Sequence, residues 1–225
     1  MAVVALLMFG LALTFVWNVL REYTLSQISE SVLSVPPSAV WLSVLLMIVS
    51  FAGMSAYDYM ALPYADKHVP LSKTAFASFC AYAISNSLGM TAVTSNAIRY
   101  RLYSSWGLGA ADVGIVALIT TTFLAISAMS LVSAGLVIDT DIFAAVFGLP
   151  SALSYTLAFI LTLAVIAGLG VFLRGPGLKT YKRIAINLPN KRHVISQWVI
   201  GLIDWIAMAG VLYLLLPSGP EFTFI

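Results

Sequence analysis

The sequence predicts an all-α polytopic membrane protein, and three observations support that fold class. Of the 225 residues, 61% are hydrophobic and 9% are charged, whereas a soluble domain carries about 25% charged residues. The mean hydropathy is +1.00. Charge-free runs long enough to cross a bilayer recur along the chain, without the period-2 alternation of a membrane β-barrel. This composition argues against a soluble enzyme, a nucleic-acid-binding module and a disordered linker.

About six membrane segments are expected, within a single transmembrane domain that covers residues 1–225. The first has no basic n-region and no clear cleavage site, so it is interpreted as a retained helix and not as a signal peptide. Residues 24–34 have apolar positions at helical spacing with polar residues between, which indicates a short helix lying in the membrane interface. The expected spanning helices are residues 1–20, 38–57, 113–138, 150–173 and 194–216.

The positions of the charged residues predict the orientation. Loop 174–193 holds six Lys or Arg residues and no acid, so the positive-inside rule places it in the cytoplasm. Asp139 and Asp141 lie in a short loop without basic residues, which is expected outside. The N-terminus is then expected in the cytoplasm.

A single membrane crossing by residues 74–98 would conflict with the positive-inside rule. Lys67 before the segment and Arg99 after it would lie on opposite sides of the membrane, although both favour the cytoplasmic side. The middle of this segment is polar around Ser85 and Asn86. Irregular backbone at membrane depth is tolerated where protein or a water-filled cavity surrounds it. A re-entrant or broken hairpin, entering and leaving on one side, removes the conflict. The apolar ending of the chain suggests a piece of a longer protein.

No soluble catalytic motif is present, and neither a catalytic residue, a metal site nor a cofactor is predicted. The single cysteine, Cys80, is interpreted as a small buried apolar residue. His68 and His193 fall in expected cytoplasmic loops and are interpreted as solvated. Five tyrosines are assigned to the aromatic belt at the membrane interface: Tyr57, Tyr59, Tyr64, Tyr100 and Tyr103.

Polar residues at membrane depth are the candidate functional groups, because ionisable side chains there are costly. Asp204 lies about ten residues into the last segment, where it could line a cavity and contact a cation or carry a proton, or form a structural pair with an Arg of the hairpin. Asp58 lies at the inner end of the second segment. Arg99 and Arg101 follow the hairpin, and a guanidinium suits a lipid phosphate, although anchoring at the inner surface explains them as well. On a helix the two would splay by about 200°.

Several blocks of sequence resemble the lysylphosphatidylglycerol synthase transmembrane family. They are Tyr57–Leu62 (YDYMAL), the polar pair Ser85 and Asn86, and the block 99–103 (RYRLY). The resemblance implies a bacterial inner-membrane protein that translocates aminoacylated phosphatidylglycerol to the outer leaflet and protects against cationic peptides.

By that resemblance, Arg99, Asp58 and Asp204 would be functional. Arg101, Asn86 and Ser85 are further substrate-binding candidates in this sequence. The partners implied are the membrane, a phospholipid and a soluble synthase domain elsewhere in the full-length protein, with no nucleic acid and with a homo-oligomer left open. Enzymatic activity is left open, because this chain has no synthase domain. Two alternatives remain: a small-solute or ion transporter, and a membrane scaffold that docks a separate lipid-aminoacylating domain.

Overall fold

The computed structural model describes residues 25–88, 91–141, 150–174, 177–181, 184–188 and 190–216, with positions 10, 14, 17, 144 and 148. These residues form seven α-helices: α1 (Leu25–Ser34), α2 (Pro37–Ala61), α3 (Leu71–Leu88), α4 (Thr91–Ser105), α5 (Ala110–Ile138), α6 (Ser151–Phe172) and α7 (Lys191–Leu215). A short 3-10 helix, Leu62–Ala65, continues α2. The helical class predicted from composition is confirmed.

Four of the described helices are long and apolar enough to cross a membrane. They are Pro37–Ala65, Ala110–Ile138, Ser151–Phe172 and Lys191–Leu215. They overlap the expected segments 38–57, 113–138, 150–173 and 194–216, and the first extends eight residues beyond its expected end. The expected number of six is not confirmed, because residues 1–20 lie outside the described residues except at three positions, and segment 74–98 consists of two shorter helices.

Segment 74–98 is broken where the polar residues occur. Helix α3 ends at Leu88, α4 begins at Thr91, and the two helices pack against each other. Helix α4 ends in a left-handed turn at Gly107, whose φ is 92°. There the N–H of Leu108 bonds to the Tyr103 carbonyl, and the N–H of Gly107 to that of Ser104, which satisfies the last carbonyls of the helix.

Two short strands were not predicted from the sequence. Strands β1 (Gly177–Tyr181) and β2 (Ile184–Leu188) form an antiparallel hairpin within the loop expected at 174–193. Strand β2 packs against the 3-10 helix, where Leu188 is buried.

The chain divides into two compact units, Met1–Leu45 with Gly210–Ile225, and Leu46–Ala209. The first holds α1 and the beginning of α2. The second holds the hydrophobic core, in which Tyr64, Phe123 and Phe172 stack with ring centroids 4.9 to 6.3 Å apart. Cys80 is half-buried in this unit and not enclosed as expected.

The tyrosine interpretation is wrong for three of the five residues. Tyr57, Tyr64 and Tyr103 are at most 1% exposed and belong to the core, whereas Tyr59 and Tyr100 are nearly half exposed. A tyrosine buried among helices needs a partner for its hydroxyl, so the three buried residues contribute polar groups to the interior.

Candidate functional site

A buried ion pair joins α2 to α4. Nε of Arg99 donates to Oδ2 of Asp58 at 2.8 Å, and Nη2 donates to Oδ1 at 3.1 Å. The two residues are 3% and 0% exposed. This two-point geometry is the strongest arrangement for a guanidinium and a carboxylate. Asp58 and Arg99, which the sequence analysis treated as separate candidates, therefore form a single ion pair.

Three further side chains enclose this ion pair. The Tyr103 hydroxyl and the Thr120 hydroxyl each donate to Asp58 at 3.4 Å. The guanidinium carbon of Arg99 lies 4.6 Å from the ring centroid of Tyr82, a cation–π contact. The carboxylate thus accepts four hydrogen bonds, which offset the cost of removing its charge from water.

Asp204 forms a second buried polar site, between α2 and α7. It is 2% exposed, and the Ser50 hydroxyl donates to its Oδ1 at 2.6 Å. Gly53 faces it, and a Cβ there would lie 3.6 Å from the Asp204 Cβ, so the two helices are in close contact. Within the described part of the chain, no Lys or Arg forms a salt bridge to Asp204. The sequence suggested, as one alternative, an ion pair between Asp204 and an arginine of the hairpin. In the structure that arginine, Arg99, pairs with Asp58 instead.

The two sites belong to one polar region of the Leu46–Ala209 unit. Ser50 and Asp58 are eight residues apart on α2, which corresponds to about 12 Å along the helix axis. Tyr82 lies close enough to Asp58, Arg99 and Asp204 to interact electrostatically with all three.

The remaining candidates lie outside this polar region or only border it. Arg101 is exposed, because two residues on a helix point in nearly opposite directions. Asn86 is exposed near the end of α3. Ser85 is buried, and its hydroxyl donates to the Ala81 carbonyl of its own helix. None of these three contacts the ion pair or Asp204 in the described structure.

The interpretation of His193 as a solvated loop residue is wrong. His193 lies in the first turn of α7, and its Nε2 bonds to the Met60 carbonyl at 2.7 Å. One turn further on, Gln197 is fully buried and accepts a hydrogen bond from the Tyr64 hydroxyl at 3.1 Å. His68 is exposed, as expected. Among the described residues, no three His, Cys, Asp or Glu side chains are grouped to hold a metal ion.

No protein-family model matches the chain. Comparison with curated proteins gives two relatives. The chain is 31% identical over 181 residues to the uncharacterized protein slr0712 of Synechocystis, an alignment that covers 80% of this chain and 56% of that protein. It is 26% identical over 219 residues to the inner membrane protein YbhN of Escherichia coli, covering 93% of this chain and 62% of that protein.

The chain therefore spans less than two thirds of the length of either relative. Its apolar helices and its similarity to YbhN lead to the same conclusion: this chain is a multi-pass helical membrane protein, similar over most of its length to a protein of the bacterial inner membrane.

Proposed function

We propose that this chain is part of a bacterial inner-membrane protein that moves a phospholipid with a charged headgroup, aminoacylated phosphatidylglycerol, to the outer leaflet. The observation that carries the proposal is the buried, two-point Asp58–Arg99 ion pair. Ionisable groups within a membrane domain are expensive and mark pathways for charged substrates. The similarity to an inner membrane protein supports the location.

The ion pair suggests how such a headgroup is accepted. Aminoacyl phosphatidylglycerol carries a phosphate and an ammonium group. When the headgroup enters, the phosphate takes the place of Asp58 on Arg99, and the freed carboxylate binds the ammonium group. One buried pair is exchanged for two, so neither Asp58 nor Arg99 is left uncompensated in the low-dielectric interior.

Asp204 provides a second carboxylate along the same helix interface. Ser50 and Asp58 are about 12 Å apart on α2, so the ammonium group can pass from one acid to the other as the lipid moves. We expect Asp204→Asn to abolish lipid translocation while leaving expression unchanged, because the amide preserves shape and the hydrogen bond from Ser50 but removes the charge. Normal translocation by this variant would exclude the role of Asp204.

The test of the main proposal separates folding from transport. The protein is reconstituted in vesicles with fluorescent phosphatidylglycerol or its lysyl ester, and translocation is followed by quenching of the outer leaflet. Asp58→Asn and Arg99→Gln each leave one buried charge without a partner, which costs about 3–5 kcal/mol. The double variant removes both charges, so it should be more stable than either single variant and still fail to move lipid.

Arg101→Gln is the matched control, because Arg101 is exposed on the same helix. We expect it to retain translocation. A folded double variant that moves lipid at the normal rate would show that the ion pair is structural. Uptake of small solutes or ions without lipid movement would instead support a solute transporter.

A further inference from the structure

One face of α7 carries three polar side chains, with a glycine between the second and the third. His193, Gln197, Gly201 and Asp204 are spaced by four, four and three residues, so they lie in one column along the helix. The column is about 16 Å long, at 1.5 Å per residue. Half of a hydrocarbon core of about 30 Å is comparable, so a column of this length that starts at the membrane surface reaches about the middle of the membrane.

The groups that face this column are hydroxyls from neighbouring helices. Tyr64 donates to Gln197 Oε1 at 3.1 Å. The Tyr57 and Ser127 hydroxyls lie 3.4 Å apart and meet directly at Gly201, where any Cβ would overlap both of them. Ser50 donates to Asp204. Hydroxyl groups both donate and accept hydrogen bonds, which makes this column suitable for passing protons.

Gln197 adds a second, independent observation. The side chain is 0% exposed, and its Nε2 is buried without a hydrogen-bond partner among the described residues. A buried amide N–H requires an acceptor, and a bound water molecule is the usual one. Such a water would lie between His193 and the Tyr57–Ser127 pair, a distance of about one helical turn from each.

The column begins at a cavity of about 510 Å³. Lys67, His68 and His193 line it together with Tyr59 and apolar residues of the segment after α2. The Met60 carbonyl can only accept, so Nε2 of His193 carries a proton and Nδ1 remains available. A ring nitrogen of histidine can donate or accept a hydrogen bond, so His193 can connect the cavity to the column.

We infer that Asp204 is a proton-binding site, loaded from this cavity along the column through Gln197, Tyr57 and Ser127. A proton from water in the cavity passes along hydroxyls and bound water to the Asp204 carboxylate, which becomes a neutral carboxylic acid. The inference rests on the proposed function in one respect: in a lipid transporter, this protonation would couple headgroup movement to the proton gradient.

The groups around Asp204 do not provide a competing charge partner. On α2 it contacts Ser50 and lies opposite Gly53. The Tyr57 and Tyr82 hydroxyls lie within electrostatic range of it. Arg99, in the same polar region, is held by two hydrogen bonds to Asp58. A proton is therefore the simplest means to neutralise Asp204.

The test follows Asp204 directly by infrared spectroscopy of the protein in vesicles. The carboxylic C=O band that is lost in Asp204→Asn should rise as pH falls. After a rapid pH drop, its appearance should be slowed at least about tenfold in Tyr57→Phe and in Gln197→Met, since each removes a hydrogen-bonding group from a buried path. Tyr155→Phe, on the exposed surface of α6, is the matched control and should leave the rate unchanged.

Two results would overturn the inference: a band that stays constant between acid and alkaline pH, or one that appears equally fast in all variants. The result is independent of lipid transport. Absence of lipid translocation by the unmodified protein in the vesicle assay, with a normal proton response of Asp204, would refute the proposed lipid function and leave the proton site in place.

Discussion

Gly201 is the position on α7 where one added carbon atom has the clearest consequence. A Cβ there would overlap the Tyr57 hydroxyl and lie 2.8 Å from the Ser127 Cβ. We expect Gly201→Ala to lower the free energy of unfolding by about 1–3 kcal/mol, the usual effect of overpacking a core. Gly170→Ala is the control, because nothing lies within 4 Å of its added Cβ. Thermal unfolding in detergent measures both, and equal melting temperatures would contradict the close packing at Gly201.

Substitution of Arg99 by Lys tests whether the ion pair stabilises the fold through its two-point geometry or through charge alone. Arg99→Lys keeps the positive charge but cannot form the two parallel hydrogen bonds to Asp58. It also weakens the contact with the Tyr82 ring. We expect a loss of about 1.5–3 kcal/mol in the free energy of unfolding, the value of one charged hydrogen bond. The exposed Arg101→Lys should change stability by less than about 0.5 kcal/mol. Equal stabilities would show that charge alone is sufficient.

The sequence identified the buried charges but not their partners. Asp58 and Arg99 stand out because charged residues are rare in apolar runs, and the structure buries both. Their pairing depends on how α2 and α4 pack, which local spacing does not encode. Tyr103 was missed for the same reason, although it lies one turn after Arg99. The polar column on α7 was not predicted, although the spacing of His193, Gln197 and Asp204 places the three residues on one helix face.

At the scale of elements, the break in segment 74–98 occurs near Leu88, where the sequence is polar. The position of this segment in the membrane remains a prediction. Helices α3 and α4 have 18 and 15 residues, or about 27 Å and 22 Å in length. They pack as a hairpin, so the chain before α3 and the chain after α4 should lie on the same side of the membrane.

Cysteine labelling tests this hairpin. In a Cys80→Ser background, Lys73→Cys and Ser105→Cys are placed at the two open ends, both exposed. An impermeant thiol reagent should label both from the same side of sealed vesicles. Labelling from opposite sides would mean that the segment crosses the membrane once. Ser87→Cys, at the exposed far end of α3, reports how deeply the hairpin enters.

The β-hairpin is an element that the sequence analysis did not predict. The basic residues of the loop favour a solvated segment. Ile184, Ile186 and Leu188 do alternate as in a strand, but a run of five residues is a short signal by itself. The strand is stabilised by pairing with Gly177–Tyr181 and by burial of Leu188 against the segment after α2. These contacts are tertiary, so the sequence pattern does not contain them.

At the scale of the whole molecule, several contacts bring basic residues to one end of the Leu46–Ala209 unit. Lys67 forms a salt bridge with Asp112 at 3.5 Å, at the start of α5. Lys73 lies 5.5 Å from the Trp106 ring centroid. The His193–Met60 hydrogen bond brings the start of α7 to the end of α2. The positive-inside rule predicts that this end faces the cytoplasm.

The opposite end of α5 is predicted to face the outside of the cell. Helix α5 has 29 residues and a length of about 43 Å, enough to cross the bilayer. In the Cys80→Ser background, Lys191→Cys should therefore be labelled only after the inner side of the cell membrane is opened, and Asp141→Cys in intact cells. Both positions are exposed, so access depends on the side of the membrane and not on burial. The reverse pattern would place the cavity at His193 outside, and the proton path to Asp204 would then start in the periplasm, where the proton gradient drives protons inward.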